Sequence, residues 1–315
     1  MALTKSEYTI NRSFSESVKL LSCIAIAIGH YLGYYSSTGA HINILQKAML
    51  AQGGMLGVAL FFFLSGYGLM KSDERKHLSA CEFFSRRYLK IYLPVLLSAV
   101  IWVPLSYVMG YVEYHSIFDA ALSILWGWGD GILWFVRCLL LLYAEFFLYS
   151  VIRSKSKSEI IRITSLSLFA AFGFAIQYRI ADFSAVSVPM FFIGVLITDS
   201  AIFRHYISKI SLVSLLLVII CAICIAFRSD KLLVHSMANY IVVLLLMYTT
   251  LHYHIKLSGS IVAKWGRYSY DIYLTHNKCL TALTNTMTFM PFWLFAIVSV
   301  AVAILFNYIR KIIKT

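Results

Sequence analysis

Acidic residues are scarce in this chain. Only 14 Asp and Glu stand against 27 Lys and Arg, and charged residues of both signs fill 13% of the 315 positions. A water-soluble protein of this length needs a polar surface over its core, and there is too little polar material here to make one. A disulfide framework is missing as well. Five of the six cysteines (Cys23, Cys138, Cys221, Cys224 and Cys279) fall inside apolar runs, and Cys81 lies in a polar connection. The pair Cys221-x-x-Cys224 has no His or second pair nearby, so it reads as small apolar packing, and no metal site is expected. The alternating ten-residue segments of an outer-membrane barrel are absent. The first apolar run lacks an A-x-A-type cleavage site and is expected to remain as a helix. No internal repeat and no second domain stand out, so a single domain over 1–315 is expected, with its core at about 12–310 and no fused soluble domain.

What the chain has is long apolar runs. Hydrophobic residues make up 60% of it and the mean hydropathy is +0.79. Ten runs are predicted, at 18–36, 51–70, 89–110, 132–152, 162–180, 184–199, 207–227, 233–252, 263–283 and 290–310. The expected fold class is all-α, a polytopic membrane bundle of about ten transmembrane helices. The net charge of +13 invites a nucleic-acid reading, but its distribution argues against one. Cations gather in the N-terminal segment, in every second connection (Lys71, Arg75, Lys76, Arg86, Arg87 and Lys90 in one, Arg153, Lys155, Lys157 and Arg162 in another) and at the C-terminus. Those segments hold 21 of the 27 Lys and Arg. The positive-inside rule then puts both termini in the cytoplasm and makes the number of spans even.

Ionisable groups within such runs are costly and become candidates for function. In the first run Lys19 and His30 are eleven residues apart. On a helix that spacing gives about 20° of rotation and roughly 16 Å of rise, so both lie on one face, the cation at an interface and the imidazole deep inside. For His30 two readings stand: a working base, or a ring hydrogen-bonded inside the bundle. Glu16 is placed to pair with Lys19, and Ser15 or Ser17 to cap the helix. Glycines at 53 and 57 suit close helix contact. Ser65-Gly66-Tyr67-Gly68 reaches the cytoplasmic side beside a basic connection, where exposed backbone N–H groups would suit an anion. Arg87 and Lys90 share a face at the entry to the third run, either as interfacial cations or as phosphate ligands. Arg137 and Glu145 are intramembrane ions on one helix, readable as a structural network or as a ligand contact. His276 lies nine residues beyond Arg267, at a depth similar to that of His30, and Asp271 is expected to pair with Arg267. Tyr111, Tyr114, Trp126 and Trp128 belong to a short interfacial segment, readable as an aromatic belt or as rings on which a sugar stacks, and Pro189 is expected to mark a kink.

Several of these stretches together resemble the acyltransferase 3 family. They are Lys19-x10-His30, the run ending Phe63-Leu64-Ser65-Gly66-Tyr67, Arg87-x-x-Lys90 followed by Pro94, the Leu133-Trp134-Phe135 start of the fourth run, and Gly266-Arg267-Tyr268-Ser269 through Ile272-Tyr273-Leu274-Thr275-His276. Lys stands at 19 and at 90 where the family carries Arg; the charge is kept and the bidentate geometry is not. The resemblance implies an integral-membrane O-acyltransferase that moves an acyl group, acetyl first, from acyl-CoA to a hydroxyl of a cell-surface carbohydrate or its lipid-linked precursor. It implies the cell (inner) membrane as the location, with membrane lipids as neighbours and no nucleic-acid partner. The polyanionic donor is expected at Lys19, Ser65, Gly66, Arg87 and Lys90. His30 is expected as general base, and His276, Arg137 or a backbone N–H as stabiliser of the oxyanion. A transporter or flippase for a glycan or small solute is the alternative; it predicts internal repeats and broken helices at matching positions.

Overall fold

The computed structural model describes residues 10–111, 113–126, 134–180, 185–208, 237, 239–245, 248, 261–287 and 289–314. Among them every regular element is helical. The elements are α1 (Arg12–Ser37), α2 (Ile44–Ala48), α3 (Gly54–Arg75), α4 (Ala80–Phe83), α5 (Leu89–Val108), α6 (Ile117–Trp126), α7 (Trp134–Lys155), α8 (Glu159–Ile180), α9 (Val188–Asp199), α10 (Ala201–Ser208), α11 (Ile261–Gly266), α12 (Ser269–Thr286) and α13 (Phe292–Lys314). A π-helical turn, Met49–Gly53, joins α2 to α3, and another, Phe84–Tyr88, joins α4 to α5. Each joined pair is one continuous rod. Six rods are long and apolar enough to cross a membrane among the described residues: α1, α2–α3, α4–α5, α7, α8 and α13. The chain is thus a multi-pass membrane protein. Apolar α9 is shorter, and the runs expected at 207–227 and 233–252 lie largely outside the described residues.

Small residues let the rods approach closely, as packing without a hydrophobic drive between helices requires. A methyl group on Gly57 of α3 would strike Ser22 O and the Ile26 side chain of α1. On Gly66 it would strike Phe191 O of α9, and on Gly194 of α9 it would strike Phe63 O of α3. Phe62, Phe63, Leu142, Met190 and Phe191 fill the space around these crossings and are fully buried. Below the apolar core an ionic clasp ties four helices together. The Asp199 carboxylate at the end of α9 accepts from Arg153 Nε at 2.6 Å and from the Tyr149 hydroxyl at 2.6 Å, and forms an ion pair with Arg162, whose Nε is 3.0 Å away. Arg153 also reaches Asp73 of α3 at 3.2 Å.

Four local expectations are corrected. The first helix begins at Arg12 and is capped by Asn11, whose side chain accepts from Phe14 N–H at 2.7 Å, so neither Ser15 nor Ser17 is the cap. Pro189 stands in the first turn of α9, where its missing N–H costs no helix bond, and marks a helix start instead of a kink. The single run expected over 263–283 is broken by a turn at Arg267–Tyr268 between α11 and α12. There Gly266 admits the backbone of α1, because a Cβ would meet Glu16 O. Asp271 pairs with Arg310 Nη2 at 2.9 Å and Asn307 Nδ2 at 2.6 Å, both from α13, and not with Arg267. The α13 partners were invisible to local spacing because the contact is long-range.

Candidate active site

Three helices run between two cavities. Near its N-terminal end α1 offers Glu16 and Lys19 to a cavity of about 440 Å³. The π-turn before α5 brings Arg87 to it, α5 itself brings Lys90, α3 brings Ser65 and Gly68, the α11–α12 turn brings Arg267, and α13 brings Arg310. Five cations therefore line one space, with Tyr143 and Tyr270 among them. The cations are held in place. Lys19 Nζ lies 3.6 Å from Glu16 Oε1, the pair expected from their spacing. Arg87 Nη2 donates to Ser72 Oγ, and Arg310 is anchored by fully buried Asp271. A π-turn adds a residue to the helical repeat, and it sets Arg87 on the cavity wall while Arg86 stays exposed beside Glu82.

Farther along the same helices lies a second cavity, of about 480 Å³, lined by Ile26, Gly29, His30, Gly33 and Tyr34 of α1, Leu50 of the first π-turn, Gly54 at the start of α3, and Asn277 and Leu280 of α12. Its polar side chains are His30, Tyr34 and Asn277. The two cavities share no lining residue. His30 stands in the wall of the second cavity with His276 beside it: the two rings are 5.4 Å apart, centroid to centroid. His30 is exposed to its cavity, whereas His276 is wholly buried. His276 Nδ1 lies 2.8 Å from Tyr273 O and 3.0 Å from Ile272 O. Carbonyl oxygens only accept, so Nδ1 carries the proton and Nε2 presents a lone pair. That Nε2 is buried with no hydrogen-bond partner. In its neutral form this tautomer presents a lone pair to its neighbour, and only the protonated ring would offer an N–H to an oxyanion.

Of the expected site residues, Lys19, Ser65, Arg87 and Lys90 meet in the basic cavity. Gly66 does not: it is buried against α9 while Gly68, two residues on, faces open space. Nor do Ser65–Gly68 expose a nest of amides, because the segment is regular helix and its N–H groups are used within α3. Arg137 is half-buried on α7 and belongs to the lining of neither cavity. It stands two residues from Phe135, about 200° around the helix from that cavity-lining ring. Glu145 is buried with both carboxylate oxygens lacking a hydrogen-bond partner, pressed against Gly173 of α8, so it forms no ion pair with Arg137. Tyr143, Arg267, Tyr270 and Arg310 also line this cavity and were not among the residues expected to hold the donor. The only signal for Arg310 was its place in a basic C-terminal end, which the topology rule explained equally well.

A family model described as an acyltransferase domain matches residues 12–309. The chain belongs to the acyltransferase 3 family. No curated protein and no solved structure matches it. The multi-pass helices and the family together make this a membrane acyltransferase.

Proposed function

We propose that this acyltransferase takes an acyl group, acetyl first, from acyl-CoA and places it on a hydroxyl of a cell-surface carbohydrate or its lipid-linked precursor in the cell membrane. The proposal includes ten spans and cytoplasmic termini, so that the basic cavity opens to the cytosolic donor. One observation carries the reading: five cations line a single cavity on the same helices that pair two imidazoles farther along. Phosphates are well matched by converging Arg and Lys, and the donor set Lys19, Arg87, Lys90, Arg267 and Arg310, with Ser65 beside it, fits a polyphosphate group. Acyl-CoA supplies the acyl group as an activated thioester.

In this mechanism His30 faces the acceptor, which enters through the second cavity past Tyr34 and Asn277. His30 removes the hydroxyl proton as the acceptor oxygen bonds to the thioester carbon. The carbon–sulfur bond then breaks, and the proton passes from the imidazole to the leaving thiolate, giving ester and free CoA thiol. His276 Nε2, a buried lone pair with no hydrogen-bond partner among the described residues, stands beside this ring and is the acceptor for the His30 N–H once the ring turns toward it during turnover. The test is transfer of labelled acetyl from acetyl-CoA by the purified protein in nanodiscs, with mass analysis of surface glycans from cells with and without it. CoA thiol release together with acetylated glycan is expected. Absence of both, with the protein folded, overturns the proposal.

A further inference from the structure

We propose that Phe61, Phe135 and Tyr273 form a filter that limits the length of the acyl chain, an inference that rests on the acyl-CoA reading above. Phe61 and Phe135 line the apolar end of the basic cavity. Phe135 meets Phe61 at 5.7 Å and Tyr273 at 5.0 Å between ring centroids, and Tyr273 in turn lies 5.8 Å from the His276 ring. Ring contact thus runs unbroken from the cavity wall to the imidazole pair. All three side chains are buried. Phe135 has no room to retreat, because Phe62 stacks behind it at 5.0 Å and is itself fully buried.

A thioester carbonyl brought from the cations to the imidazoles must therefore lie against these rings, and its acyl tail must fit whatever space they leave. Close-packed interiors resist added methylenes, so a short acyl group is admitted and a long one refused. Removing a ring opens lasting space, since a packed core collapses only partly around a deletion. An apolar pocket separates substrates by about 10–200-fold for one methylene. Loss of Phe135 should move the preference by at least the lower end of that range.

The experiment compares kcat/KM for acetyl-, propionyl-, butyryl- and hexanoyl-CoA, read as CoA thiol release on a fixed acceptor. Wild type, Phe135→Ala and Phe61→Ala are measured in detergent, with Phe135→Leu and Phe61→Leu to serve if an Ala variant fails to fold. The wild type should fall steeply with chain length, and the variants should raise the butyryl-to-acetyl ratio by about tenfold or more. Unchanged ratios in folded variants, or a wild type that prefers the longer chains, overturn the filter while leaving the acyl-CoA reading in place. A wild type that transfers no acyl group from any of the four defeats that reading, and the filter with it.

Discussion

His30 and His276 stand 5.4 Å apart, ring centre to ring centre, although they come from the first helix and the helix before the last. One ring faces a cavity and the other is wholly buried, with its Nδ1 proton committed to backbone carbonyls of its own helix. The pair is asymmetric, and the asymmetry assigns different work to each member.

His30→Ala should lower acyl transfer by about 10²–10⁴-fold, the usual contribution of a positioned general base. Radiolabel transfer by protein of unchanged melting temperature checks it. For His276, replacement by Asn keeps a donor near the Nδ1 position but removes the Nε2 lone pair. His276→Asn should fold and yet lose about 10²-fold in kcat, with KM for acyl-CoA little changed. Wild-type turnover in that variant would mean that the buried lone pair takes no part.

The basic cavity makes a separate claim, on donor affinity. Arg87→Ala, Lys90→Ala and Arg310→Ala should each raise KM for acetyl-CoA by roughly ten- to a hundredfold, the loss of one charge-assisted contact. The effect should shrink as salt is raised, most for exposed Lys90 and less for half-buried Arg87 and Arg310, because salt screens attraction beyond a Debye length of about 8 Å at physiological ionic strength. Initial-rate measurements at two salt concentrations distinguish this from a general loss of fold.

Asp271 anchors Arg310 and accepts from Asn307 while fully buried. Asp271→Ala leaves the Arg310 charge half-buried without its partner and should destabilise the protein by about 3 kcal/mol. Thermal unfolding in detergent reads this directly, and the acetyl-CoA KM of the surviving folded fraction should rise as it does in Arg310→Ala.

Gly66 and Gly68 provide an internal control on packing. Gly66→Ala forces a methyl against the Phe191 carbonyl, whereas Gly68→Ala extends into open space. The first should cost about 1–3 kcal/mol, as overpacking does, and the second should leave stability nearly unchanged. Gly194→Ala, across the same α3–α9 crossing, should match Gly66→Ala. Equal melting temperatures for all three would show that this crossing does not depend on small residues.

Much of the molecule was legible in the chain itself. Long apolar runs have to be helices, because hydrocarbon satisfies no backbone N–H or C=O and a helix satisfies its own. The Lys19–His30 spacing put a cation and an imidazole on one face because a helix repeats every 3.6 residues. The Glu16–Lys19 pair followed from the same local rule. What spacing could not supply was anything that depends on a second helix. The Arg310–Asp271 pair joins α13 to α12. The burial of Gly66 was decided by where α9 crosses α3. The tautomer of His276 follows from its carbonyl partners, but its meeting with His30 needed two helices set side by side. Helical periodicity is written into neighbouring residues, whereas crossings are settled by how whole helical surfaces interlock. The chain by itself therefore determined which groups are costly enough in a membrane to matter, and only the packed bundle decided which of them meet.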